Sequence, residues 1–270
     1  MKNIKVLISE LLHVFGVLWL LVEVLTYFSS ENVANSVKSK WWVFLIAGLA
    51  ISVVRLRPKT KYSYKLSDKD ITIELVSGDI FKQSGPVVVG SNTEFITSSS
   101  VISDRSVQGL FSSKYVTEYL GRADLKQLIQ DQVGNGVHQY GTTVTIKTPA
   151  RTGYFCALAD INSSGVAQSS IENIRVALSG LWDYLGKNGE KEIINTPILG
   201  SGFSRVSASR EKLCKEIIRS FIASTTQYTF CDGLRIVIHP KDIKDNKIDL
   251  GELAKFLEYS CKYSLVESAY

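Results

Sequence analysis

At 270 residues, 45% of them hydrophobic and 21% charged, the chain is long enough for one large or two small domains and too apolar to be disordered. Its net charge of +5 comes from residues 1–65, where nine Lys/Arg meet three Glu; the near-neutral remainder lacks the one-signed field of a general nucleic-acid binder. The four cysteines, Cys156, Cys214, Cys231 and Cys261, form no CxxC pair and have no histidine at ligand spacing, which argues against a metal site and for a reducing compartment.

The chain opens with IKVLISELLHVFGVLWLLVEVLTYF, residues 4–28, long enough to cross a bilayer at about 1.5 Å per residue. WWVFLIAGLAISVV, residues 41–54, follows without a charge; Lys38, Lys40 and Arg55 can snorkel outward, and Trp41 and Trp42 sit where an aromatic belt would place them. The pair predicts a transmembrane hairpin over residues 1–60, with spans of about 6–28 and 38–56. Two other readings compete: a signal peptide starting at Lys2 and Lys5, and two buried helices of a soluble domain. Arg55, Arg57, Lys59, Lys61 and Lys65 place the following end inside by the positive-inside rule. The expectation is a multi-pass plasma-membrane protein with both termini cytoplasmic. Glu10, His13 and Glu23 lie in or near the membrane, and Glu23 is the most telling, since a charge there should face protein or water.

From residue 61 onward strand and helix signals alternate. ITIELV (71–76), PVVVGSN (86–92), TTVTIKT (142–148), YFCALAD (154–160), EIINTPIL (192–199) and GLRIVIHP (233–240) read as strands. Residues 113–132 read as a helix. So do 169–187, whose Ile171, Ile174, Leu178, Leu181 and Leu185 share a face and whose Ser169 and Glu172 fit a capping box. Further helices are expected from about Ala208 and over about 249–262, the latter capped by Asp249. This order predicts a three-layer α/β/α sandwich with a mixed sheet, and ligands in such sheets bind beyond the carboxyl ends of the strands. The loops SGDIF (77–81), SNTEF (91–95), LGSGF (199–203) and HPKD (239–242) sit at those ends.

The stretch PILGSGFSR, residues 197–205, carries Gly200 and Gly202 between a strand and a helix. Glycines there let backbone N–H groups approach a ligand, and a following helix N-terminus favours an anion, so phosphate is the first candidate. The plain alternative is a tight connection that binds nothing. Asp79 can equally cap a turn, Asn92 can satisfy its own loop, His239 can end a strand, and Arg205 can pair locally. No Ser/His/Asp or Cys/His set is visible, and no catalytic residue or metal ligand is assigned.

With Gly78-Asp79-Ile80, Val87-Val88-Val89 leading to Asn92, and Pro197 to Phe203, the chain resembles the macro domain, a fold that commonly binds ADP-ribose. The resemblance implies that Asp79, beside Ile80, accepts from the adenine amino group. It implies that Leu199, Gly200, Ser201, Gly202, Phe203, Ser204 and Arg205 wrap the diphosphate and distal ribose, with His239 and Lys241 nearby. It covers roughly residues 66–245. Hydrolytic macro domains often carry an Asn-Ala-Ala-Asn run and a triple glycine after the second strand; here GSNTEFITSSSVISDRSVQGLF offers only Asn92 and Gly109, which favours binding over hydrolysis.

SNTEFIT and SVQGLF (106–111), behind two apolar segments, are similar to the membrane-anchored macro-domain effectors of Thoeris anti-phage systems. That resemblance adds Thr93, Phe95, Ser106, Gln108, Gly109 and Phe111 to the ligand-binding set. It implies an ADP-ribose-derived signal, associated with a histidine conjugate, made by a TIR-domain partner, with no resident cofactor. It also implies a ligand-induced homo-oligomer acting on membrane lipid. The alternatives are a membrane-tethered ADP-ribosyl hydrolase, in which Asp104 or Asp79 would position water, and an anchored reader of ADP-ribosylated proteins.

Overall fold

The computed structural model describes residues 2–55, 59–67, 69–119, 122–202 and 206–263. They divide between Lys59 and Thr60 into two units.

The first unit holds α1 (Lys2–Phe28), α2 (Glu31–Ser39) and α3 (Trp41–Arg55). Ile8–Phe28 is long and apolar enough to cross a membrane. The segment expected as a second span, about 38–56, is not one straight helix in its described residues. The helix breaks at Lys40, where the Ser39 hydroxyl donates to the Ser36 carbonyl at 2.9 Å, and α3 starts at Trp41. Glu31–Val37 and Trp41–Arg55 meet at 53°, and only the bent pair reaches the length of a span. Small residues bring α3 against α1: a Cβ on Gly48 would lie 2.6 Å from the Phe15 ring. Ser52 is buried there and donates to the Gly48 carbonyl at 2.8 Å. Arg55 lies 3.9 Å from Glu10, so the end of α3 meets the early part of α1. Glu23 and His13 are exposed on α1.

The second unit runs β1 (Lys61–Lys65), β2 (Thr72–Ser77), β3 (Val87–Asn92), α4 (Val107–Phe111), α5 (Thr117–Tyr119), α6 (Arg122–Val133), β4 (Thr143–Lys147), β5 (Thr152–Ile161), β6 (Ala167–Gln168), α7 (Ile171–Asn188), β7 (Ile193–Pro197), α8 (Arg210–Gln227), β8 (Gly233–Ile238), α9 (Pro240–Lys244) and α10 (Leu250–Tyr263). The strand order is β1-β2-β8-β7-β3-β5-β4, with β6 paired to β5. β2, β8, β7, β3 and β5 run parallel, while β1 and β4 pair antiparallel at the edges. The expected mixed sheet is present.

The central strands bury both faces, so alternate residues enter different cores. Val88, Tyr154, Cys156 and Leu158 pack with α7, α8 and α10; Val87, Val89, Phe155 and Ala157 pack with Phe111, Tyr115, Leu125 and Ile129. These are the three layers. Three local expectations are corrected. The helix expected over 113–132 begins with a π turn over Ser112–Val116, followed by α5 and α6, with residues 120–121 outside the described residues. Ser170, not Ser169, caps α7, accepting from Asn173 N at 3.1 Å; Ser169 donates instead to the Leu158 carbonyl at 2.6 Å. The unforeseen β1 sends Tyr62 and Tyr64 to the core and leaves its lysines outside.

A polar row crosses the sheet beneath the β2–β3 connection. Arg235 Nε donates to Glu74 at 2.6 Å and its Nη1 to Asn195 Oδ1 at 3.2 Å, while Lys61 pairs with Glu74 at 2.6 Å. Burial disfavours the Glu74 carboxylate, but its bonds to Lys61 and Arg235 prevail, so its pKa lies below the ordinary value. A depressed folded-state pKa contributes stability that is present above the unfolded value of about 4.3 and is lost as pH falls through the folded one. Glu74→Gln leaves Arg235 buried without its counter-charge and is expected to cost about 3 kcal/mol at pH 7. In thermal melts from pH 7 to pH 3 the gap between wild type and variant should narrow. A constant gap would refute the assignment.

Candidate functional site

Because β2, β8, β7, β3 and β5 are parallel, the segments after Ser77, Ile238, Pro197, Asn92 and Ile161 leave one edge of the sheet. From β2 to β3 is three inter-strand steps, roughly 14 Å at the usual ~4.8 Å spacing. Such a row suits an elongated ligand.

The centre of the edge is the end of β3. The β3–β5 register shifts between Ser91 and Asn92, which pair with Ala157 and Ala159 and leave Leu158 as the extra residue. Bulges of this kind re-aim side chains beside functional sites. Asn92 is 3% exposed; its Oδ1 accepts from the N–H groups of Glu94 and Ile96, both at 3.1 Å. Its Nδ2 has no partner, nor has the Ser91 hydroxyl, and these are the two buried side-chain polar atoms left unpaired among the described residues. A buried unpaired polar group costs about 1–3 kcal/mol, so two together require a reason. Both residues line a cavity of about 190 Å³ with Gly90, Ile102, Ser103, Ser106, Gln108, Ala159 and Val166.

The loop after β3 is firmly tied. Thr93, also buried, donates to Asp160 Oδ1 at 3.0 Å, and Tyr140 donates to the other Asp160 oxygen. Burial, and then the Asp160 charge, push the Tyr140 phenol up to about 12, so it stays a neutral donor. Phe95 adopts φ 49°, a left-handed conformation uncommon for a non-glycine residue, and packs against His138 at 5.5 Å. Gln108 Nε2 donates to the Ile96 carbonyl at 2.9 Å. Ser106 caps α4 by accepting from Gly109 N at 3.0 Å.

The glycine loop starts from Leu199, which packs beside Gly90. Ser201 N–H closes a turn on the Ile198 carbonyl at 3.2 Å, with Gly200 third in the turn at φ +79°. That is the position where a type II turn calls for glycine. Gly202 is different: a Cβ there would meet nothing within 4 Å. Arg210, the first residue of α8, donates to the Ser201 carbonyl at 3.0 Å and to Asp242 Oδ1 at 2.7 Å.

Asn92, Ser106 and Gln108 therefore line the cavity, with Thr93 and Gly109 supporting it; Leu199 lies near Gly90, while Gly200, Ser201 and Gly202 are not among the lining residues. Ile80 is buried behind Asp79, which is exposed and caps the next turn, accepting from Phe81 N at 2.9 Å. His239 and Lys241 are exposed, and His239 Nδ1 caps α9 by accepting from Lys241 N at 3.2 Å. Phe203, Ser204 and Arg205 lie outside the described residues. Phe95 and Phe111, named above with the ligand-binding set, do not face outward. They are 4% and 0% exposed and belong to the core, where hydrophobic burial holds them. Ser91, Asp160, Tyr140 and Arg210 were missed; Ser91 alone carried a signal, its place beside Asn92.

The family described as "Thoeris protein ThsA, Macro domain" matches residues 73–239. Among solved structures, an Oceanobacillus iheyensis macrodomain variant superposes with a TM-score of 0.54 at 12% identity, covering 79% of this chain and 97% of that one. A second variant, solved with ADPR, gives 0.51 at 15% identity over 77% and 99%. The same macrodomain with ADP gives 0.52 at 14% over 77% and 100%. At such identities the likeness is one of fold. No curated protein matches.

Proposed function

This chain belongs to the Thoeris ThsA macro-domain family, and we propose that it is a membrane-anchored sensor of an ADP-ribose-derived signal. The observation that carries the reading is that Ser91 Oγ and Asn92 Nδ2 are buried and unpaired in two residues that line the cavity at the end of β3. A sugar hydroxyl offers both a donor and an acceptor, and so suits either group. On this reading the ligand lies along the strand ends, with adenine at Asp79 and Ile80, the diphosphate at Leu199–Gly202 with Phe203, Ser204 and Arg205, and the distal ribose at Asn92. His239 and Lys241 flank it. Asp79 can still receive the adenine amino group, because its cap bond uses Oδ1 alone.

The solved relatives with ADPR and ADP support the ligand class by fold analogy only. We take the producer to be a TIR-domain partner and the signal a conjugate such as histidine-ADP-ribose. The hairpin, with both termini cytoplasmic, delivers the outcome in the plasma membrane through ligand-induced assembly.

No turnover is expected, because among the described residues no side chain along the edge is placed as a nucleophile–base pair and Asp104 is exposed in the loop before α4. Calorimetry on the full chain in detergent should give a saturable heat with ADP-ribose, and ADP-ribosylated substrates should survive prolonged incubation. No heat and no thermal shift with any ADP-ribose compound would sink the binding reading. Release of ADP-ribose far above a Gly202→Glu control would establish the hydrolase instead.

A further inference from the structure

Arg210 and Asp242 are given no place in the ligand reading above. Their side chains are 24% and 16% exposed, and the pair joins two strand-end segments: the glycine loop after β7, through the Ser201 carbonyl, and the first turn of α9 after β8. No described peptide bond is cis, and in a trans peptide the C=O and the following N–H point in opposite directions. By holding the Ser201 carbonyl, Arg210 fixes the plane of the 201–202 peptide and turns the Gly202 N–H to the far side. Ser201's own N–H is already bonded to Ile198, so Gly202 supplies the loop donor whose direction Arg210 governs. Gly202 is also where the loop leaves open space.

We propose that the Arg210–Asp242 ion pair is a positioning device for a diphosphate. It locks the Ser201–Gly202 peptide with its N–H presented to the anion, and it makes the segment after β8 part of that grip. An isolated glycine-rich loop would have to order itself on binding; one clamped by a paired guanidinium is ordered beforehand. Asp242 is needed because it aims the guanidinium at the carbonyl and away from the ligand. The proposal rests on the ligand reading above, but its effect on the loop does not.

The test uses the full chain in detergent, with Asp242→Asn and Arg210→Lys, and with ADP-ribose and adenosine as probes. Amide hydrogen exchange of residues 198–202 is followed without ligand. Asp242→Asn should weaken ADP-ribose binding about tenfold, leave adenosine affinity unchanged and speed exchange in the loop. Arg210→Lys should not rescue, since an ammonium lacks the fork that reaches both partners. Equal losses for both probes would reduce the pair to general structure and overturn the proposal. Unchanged or tighter ADP-ribose binding by Asp242→Asn would overturn it too, because a freed Arg210 would then be meeting phosphate directly. If wild type binds no ADP-ribose, the ligand reading fails; faster loop exchange in Asp242→Asn would still uphold the clamp, and unchanged exchange would end it.

Discussion

Gly202→Glu should abolish ADP-ribose binding while leaving the melting curve unchanged, and Gly200→Ala should do the reverse. The two glycines lie two residues apart and have different reasons to be glycine. Gly200 sits at φ +79° in a turn, where a Cβ would also come within 3.0 Å of Ile174 and Val206. An L-residue held left-handed costs about 1–2 kcal/mol, and the contact adds to that. Gly202 has no such demand: among the described residues nothing lies within 4 Å of its Cβ position. On the proposed reading a larger side chain there meets the ligand. A carboxylate placed against a diphosphate costs several kcal/mol, so the loss of affinity should exceed a hundredfold. Calorimetry and thermal melts on both variants read the two effects separately. If Gly202→Glu unfolds the protein, or binds ADP-ribose like wild type, the loop is not the anion site.

What the chain showed before its structure, and what it hid, follow the range of each interaction. β2, β3, β5, β7 and β8 were legible because a buried strand writes itself locally, as in Val87-Val88-Val89 or Leu234 to Ile238. β1 was hidden because its lysines dominate a run that also reads as a cationic membrane flank; only pairing with β2 makes Tyr62 and Tyr64 core residues. Gly200 and Gly202 looked alike in the sequence, since a glycine does not say whether turn or ligand requires it. The bulge that turns Asn92, the strain at Phe95 and the clamp by Arg210 all depend on partners 9 to 67 residues away, beyond any local pattern. Phe111 failed for the same reason. Beside polar residues it looks like a loop aromatic, yet its ring packs edge-on against Phe155 at 5.5 Å.

Ligand should drive the full chain into a larger assembly and make liposomes leak, and Glu23→Leu should blunt the leak without weakening ligand binding. One α1–α3 pair is too thin to enclose a passage, so a breach of the bilayer requires several copies. Val14, Phe15, Leu18, Gly48 and Ser52 are turned towards each other within the pair, whereas Glu23 is exposed on α1. An ionisable group is costly in lipid and tolerable in a shared polar interior, so Glu23 favours the assembled state. Ligand can promote that state only by binding it more tightly than the single copy. With Phe95 and Phe111 buried, aromatics in residues 94–111 do not supply that preference. Mass measurement in detergent and dye release from anionic liposomes, each titrated with the same ADP-ribose compound, follow the two steps. A single mass at saturating ligand, or leakage that survives deletion of residues 2–55, would break the link between binding and the membrane.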